Sequence, residues 1–175
     1  MRVAYRVRQF WNAVAATPNL EGYSQAQDVL SPQLMALFLR LQASEQAHSL
    51  GVFRQLRQNG FVNPDLLAAA LLHDIGKSCY PLNLWERVLI VLVKALLPQK
   101  VKDWGQSEPR GWKRPFVVAE QHPDWGAALA ADAGASPRVV SLIRQHQDRV
   151  DPVPTGPGTS EDHLLFLLQQ YDNES

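Results

Sequence analysis

From Asn63 to Gly76 the chain reads NPDLLAAALLHDIG, and this stretch constrains the fold more than any other. Asn63, Pro64 and Asp65 supply, in order, a capping side chain, a first-turn proline and a first-turn acid, which is the chemistry of a helix start. Leu66 to Leu72 then run apolar without a break. A helix that is apolar on every side has no face for water, so it is central and other elements must surround it. At its end stand His73 and Asp74, two side chains that are costly to bury without partners.

The surrounding punctuation is helical almost throughout. Pro32 opens a run through Leu34, Leu37, Phe38 and Leu41 with i, i+3, i+4, i+7 spacing. A second helix is expected from about Glu45 to Gln58, stopped by Asn59-Gly60. Pro115 starts a helix to about His122. Pro123 interrupts the pattern, and Trp125 to Asp132 is helical again, ending at Gly134. Ser136-Pro137 caps a helix to about Gln147. DPVPTGPG is a loop, and Thr159 with Asp162 suggests a capping box for the last helix. Strand alternation is nearly absent, so the fold class is all-α, a single compact domain of six to eight helices. Residues 1–30 read as a basic amphipathic N-terminal segment, with Arg2, Arg6 and Arg8 and no acid before Glu21. A helix packed on the domain is its expected role; a membrane-surface contact or a transit peptide is the alternative.

Composition removes several classes. At 175 residues the chain can bury a full core without staples. Lys+Arg and Asp+Glu both number 17, and the balance argues against duplex nucleic acid as main partner. The single cysteine, Cys79, excludes a disulfide framework and a cysteine-based zinc site. Val88 to Leu97 is too short for a membrane span and contains Lys94. A cytoplasmic location is expected.

Five histidines carry the chemical information. His73 and Asp74 are neighbours, about 100° apart on a regular helix, so they share one ion only where the helix is ending, and Gly76 is the expected stop. His48 lies one helical hairpin earlier and can approach His73 if the two helices run antiparallel. His122 and His146 each lie near the end of a further helix. One histidine on an apolar face is usually a satisfied core residue; four, on different helices and one beside an aspartate, are less easily set aside. His163, next to Glu161 and Asp162, reads as surface.

LLHDIGK resembles the motif of the HD superfamily of metal-dependent phosphohydrolases, and the order of segments from His48 to Asp172 supports the resemblance. HPDWGA at 122–127 and IRQH at 143–146 resemble the extra histidines of the members that hold two metals, among them HD-GYP phosphodiesterases and HD-type hydrolases of dinucleoside polyphosphates. The resemblance implies that His48, His73, Asp74 and Asp172 hold one divalent ion. Asp74 would bridge to a second, held with His122 and His146. Iron, manganese, zinc and nickel all suit such nitrogen and oxygen ligands. The implied reaction is hydrolysis of a small phosphoester, a nucleotide or nucleotide derivative, by a metal-bound hydroxide. Asp74 and Lys77 would be the catalytic residues, Lys77 on a phosphate oxygen. Gln147 follows His146 and no Gly-Tyr-Pro follows it, so cleavage of cyclic-di-GMP is not implied.

Residues 78–115 read as a Trp-rich basic insertion in the HD domain that the resemblance implies for residues 31–175. Seven basic residues between Glu86 and Arg114 face three acids. That surplus suits a polyphosphate or an anionic surface, and Trp104 and Trp112 could stack a nucleobase. The alternative is tryptophans on the core and charges in water. A metal-holding module that senses a nucleotide or anionic lipid without turnover is the alternative function, and peripheral membrane contact the less favoured partner.

Overall fold

The computed structural model describes residues 20–148 and 160–174. These form nine α-helices and two short 3-10 turns with no strand among them. In chain order the helices are α1 (Leu20–Gln27), α2 (Pro32–Phe38), α3 (Ala43–Gln58), α4 (Pro64–Leu72), α5 (Leu84–Leu96), α6 (Pro98–Gly105), α7 (Arg114–Asp132), α8 (Pro137–Gln145) and α9 (Glu161–Glu174). The all-α expectation holds. The count exceeds six to eight because the insertion folds into two helices of its own, besides α1 inside the segment 1–30 where a packed helix was expected. None of the described helices is long and apolar enough to cross a membrane.

The centre is α4, whose residues Leu66 to Leu72 are all buried. Asn63 caps it as expected, its Oδ1 accepting from the backbone N–H groups of Asp65 and Leu66 at 3.0 and 3.1 Å. Helices α3, α8 and α9 pack around α4, while α7 packs along α8 and across the turn that follows α4. Two ends use the left-handed backbone that favours glycine: Gly60 after α3 with φ 84° and Gly134 after α7 with φ 82°. Ser31 and Ser136 cap α2 and α8 through their side-chain oxygens. Thr159 lies outside the described residues. For α9 the neighbouring Ser160 Oγ accepts from the His163 N–H at 3.3 Å.

Ala26 and Leu30 are buried in the same core as α4, so the chain from Leu20 onward packs with the rest. Gln46 ties the entry together. Its Nε2 donates to the carbonyls of Leu39 and Leu41, and its Oε1 accepts from the Tyr23 hydroxyl at 2.5 Å.

Two local expectations fail for identifiable reasons. Pro123 does not end a helix; it lies buried inside the continuous α7. An internal proline costs about 3 kcal/mol through a lost hydrogen bond and a clash. Here the burial of His122, Pro123, Gly126 and Ala127 in one helix face offsets that cost. In the insertion the helix begins earlier than the apolar run, at Leu84. Asn83 and Glu86 form a reciprocal capping box there. That helix ends at Leu96, before Pro98, and Pro98 starts α6 directly.

Candidate metal centre

His73 caps the end of α4 and Asp74 begins a 3-10 turn, Ile75–Cys79. The helix therefore loosens where the argument from spacing required it. Gly76 acts differently from a stop signal. A Cβ on Gly76 would lie 1.9 Å from the His122 carbonyl oxygen and 2.7 Å from the Gly126 nitrogen. The missing side chain lets the turn sit directly on the backbone of α7, which brings His122 beside Asp74.

The six side chains named from the sequence converge. His48 Nε2 lies 2.8 Å from Asp172 Oδ1, and His73 Nε2 lies 3.3 Å from the same oxygen. Asp74 Oδ1 lies 3.2 Å from His122 Nε2 and 3.9 Å from His146 Nε2. Asp74 Oδ2 turns the other way, 3.5 Å from His73 Nε2 and 2.6 Å from Lys77 Nζ. Two metal-capable groups result, His48–His73–Asp74 and Asp74–His122–His146, and Asp74 belongs to both. His163 belongs to neither; it is half-buried rather than a surface residue, its Nδ1 enclosed and without a hydrogen-bond partner.

The hydrogen bonds behind the rings decide what the cluster can hold. Nδ1 of His73, His122 and His146 lies 2.9, 2.8 and 2.7 Å from the carbonyl oxygens of Ala70, Val118 and Ile143. A carbonyl only accepts, so each Nδ1 carries a proton, and Nε2 is the nitrogen of each ring that is left to bind a metal or a second proton. Two of these, on His122 and His146, are 3.3 Å apart with the Asp74 carboxylate beside them. Nε2 of His73 is buried and makes no aligned hydrogen bond. Lone pairs facing lone pairs in a dry site repel unless a cation or a proton lies between them. Backbone-anchored imidazoles with Nε2 turned inward are the usual support of a metal site, and the donor set fits divalent metal.

Charge in the polypeptide itself follows the same geometry. Burial opposes a charge on His73, but the carboxylates of Asp74 and Asp172 outweigh it and raise its pKa to about 9. Burial and the neighbouring imidazoles of His122 and His73 lower His146 to about 3. Asp74 and Asp172 both stay ionised well below the ordinary carboxylate range. Burial opposes this, but for Asp74 the cations of Lys77 and His73 prevail, and for Asp172 the His73 cation and the hydrogen bond from His48.

Lys77 holds the cluster as well as facing water. Its Nζ bonds Asp74 and reaches Glu45 Oε2 at 3.4 Å. Glu45, almost fully buried, is also paired with Arg87 from α5. Glu45 and Arg87 were not singled out as site residues from the sequence. The available signal was that Glu45 lies one turn before His48, so the two share a face of α3. Trp104 and Trp112 pack edge to face at 5.0 Å, and Trp104 rests on Phe116.

The HD domain family model matches residues 43–174, well over half of the chain. No curated protein and no solved structure matches it. The match spans every residue of the histidine–carboxylate cluster, and with the helical fold and the HDIGK turn it shows that the chain belongs to the HD domain family.

Proposed function

We propose that the protein is a metal-dependent phosphohydrolase that cleaves a small phosphoester, a nucleotide or nucleotide derivative, at a centre of two divalent ions. HD domains bind divalent metals and are typically metal-dependent hydrolases. The observation that carries the reading is the position of Asp74, one carboxylate shared by two groups of imidazoles that turn Nε2 toward the cluster. His48, His73, Asp74 and Asp172 would hold one ion, and Asp74, His122 and His146 the other. Divalent cations there supply Lewis acidity to phosphoryl oxygens and make water a better nucleophile near neutral pH.

The chain's own groups divide the remaining work. The side chains of His73, Asp74, His122 and His146 are nearly sealed from solvent, at 1–4% exposure, and form the floor. His48, Asp172 and Lys77 are the open rim at 18, 26 and 27%. A substrate phosphate arriving from that side meets Lys77 first. Two of the three ammonium protons are engaged with Asp74 and Glu45, and the third is free for a phosphate oxygen.

The test is release of phosphate or nucleoside monophosphate from a panel of nucleotides and simple phosphoesters, with protein purified without chelator and its metal content measured. Wild type should turn over at least one member, and Asp74→Ala none. A silent panel with metal present in the protein would overturn the proposal.

A further inference from the structure

Helix α5 is unusual in that none of its residues is buried. Its large apolar side chains are turned outward. Trp85 is 80% exposed, Leu89 42%, Leu92 48% and Leu96 77%. These positions follow i, i+4, i+7, i+11, which at 100° per residue falls within about 60° of arc and runs about 16 Å along the helix. Leu97, the residue after α5, is 51% exposed as well. Isolated exposed leucines need no explanation, but a continuous stripe marks an interaction surface.

The charges nearby say what covers it. Between Glu86 and Arg114 the basic residues exceed the acids by four, seven against three, in a chain whose formal net charge is zero. Two of the acids are spent on arginines, Glu86 on Arg114 and Glu108 on Arg110. Arg87 is turned inward to Glu45. Lys100 and Lys102 are exposed and form no ion pair among the described residues; the third acid, Asp103, is exposed beside them, and Lys94 lies on the side of α5 opposite the stripe. Burying the stripe against a second copy by a two-fold axis would bring two such cationic surpluses together. An anionic surface satisfies both features, since the apolar side chains enter the headgroup boundary and the lysines meet the phosphates. Tryptophan at such a boundary is the expected anchor.

We infer that the outward face of α5, with the lysines of α6, docks the protein peripherally on an anionic phospholipid bilayer. The inference is independent of the reaction proposed for the metal centre.

The full chain should sediment with vesicles of equal parts phosphatidylcholine and phosphatidylglycerol, and bind phosphatidylcholine alone about tenfold or more weakly. Paired replacement Leu92→Ser with Leu96→Ser should cut binding to anionic vesicles about tenfold or more, because each leucine contributes burial of a few CH2 groups. Because those side chains are exposed, thermal melting should not change; Trp85→Ser with Leu89→Ser is the second pair, should the first misfold. Lys100→Glu with Lys102→Glu should reduce binding to the level seen with neutral lipid. Three results would overturn the inference: no preference for anionic vesicles, stripe variants that bind as wild type does, or a solution dimer that Leu92→Ser with Leu96→Ser converts to monomer.

Discussion

His122 owes its place to an atom that is absent, the Cβ of Gly76. Gly76→Ala would push a methyl group into the backbone of α7 at His122 and Gly126, where no flexible side chain can yield. Overpacking of this kind costs about 1–3 kcal/mol. Thermal denaturation should fall by that amount, and metal content should fall with it because His122 moves away from Asp74. An unchanged melting curve with full metal content would show that the turn relaxes freely. At the same scale, His73 and His146 make stability depend on pH in opposite senses. The pKa of His73 is raised, from 6.5 to about 9, so its contribution is complete below 6.5 and disappears as pH rises through about 9. The pKa of His146 is lowered to about 3, so folding is penalised increasingly as pH falls below 6.5. Chelator-treated protein should therefore be most stable near pH 6.5, a maximum that His73→Gln shifts to higher pH. A divalent ion must also displace the His73 proton. Affinity measured against a competing chelator should rise about tenfold per pH unit from neutral to about 9. The residues that meet in the cluster were readable from their types and order. The tautomers and the charge on His73 were not, because they depend on carbonyls and carboxylates brought in by other segments.

Helix ends were the most legible elements, because caps act through side chains two or three residues away. Asn63, Ser31 and Ser136 all cap as their local sequence indicates. Pro123 misled because its cost is local while its compensation is tertiary, the packing of α7 on the turn after α4. The start of α5 was missed although Asn83 and Glu86 carry a capping box, because Trp85, Glu86 and Arg87 break the apolar run. That same helix supplies Arg87, which completes a chain of contacts from Asp74 through Lys77 and Glu45. Arg87→Met would leave the buried Glu45 carboxylate facing Lys77 alone. Lys77 would then be drawn from Asp74 toward Glu45. Breaking a largely buried pair from one side costs about 3–5 kcal/mol at full burial. Arg87 keeps some contact with water, at 17% exposure, so the lower end is expected by denaturant melts. Replacing Glu45 and Arg87 together, Glu45→Gln with Arg87→Met, should recover part of that loss.

The two metal-capable groups draw on different halves of the molecule. His48 comes from α3 and Asp172 from α9, while His122 comes from α7 and His146 from the end of α8. Asp74, at the turn on which α7 rests, is the carboxylate that both halves reach among the described residues. This assembly makes the stoichiometry of single variants informative. Protein purified without chelator should carry two equivalents of divalent metal by mass spectrometry. His48→Ala should retain about one equivalent and His146→Ala about one, whereas Asp74→Ala should retain neither. Loss of both ions in every variant would mean a single shared centre rather than two half-sites. Because each ion would cross-link elements distant in sequence, removal should also loosen the whole fold. Ligand held at a concentration 1,000 times its Kd stabilises the native state by about 4 kcal/mol. For a domain of this size that corresponds to roughly 8–16 °C in melting temperature. Chelator treatment of wild type should lower Tm by that order, and adding back metal should restore it. In Asp74→Ala neither treatment should move the transition, which separates metal held in the centre from metal bound at the surface.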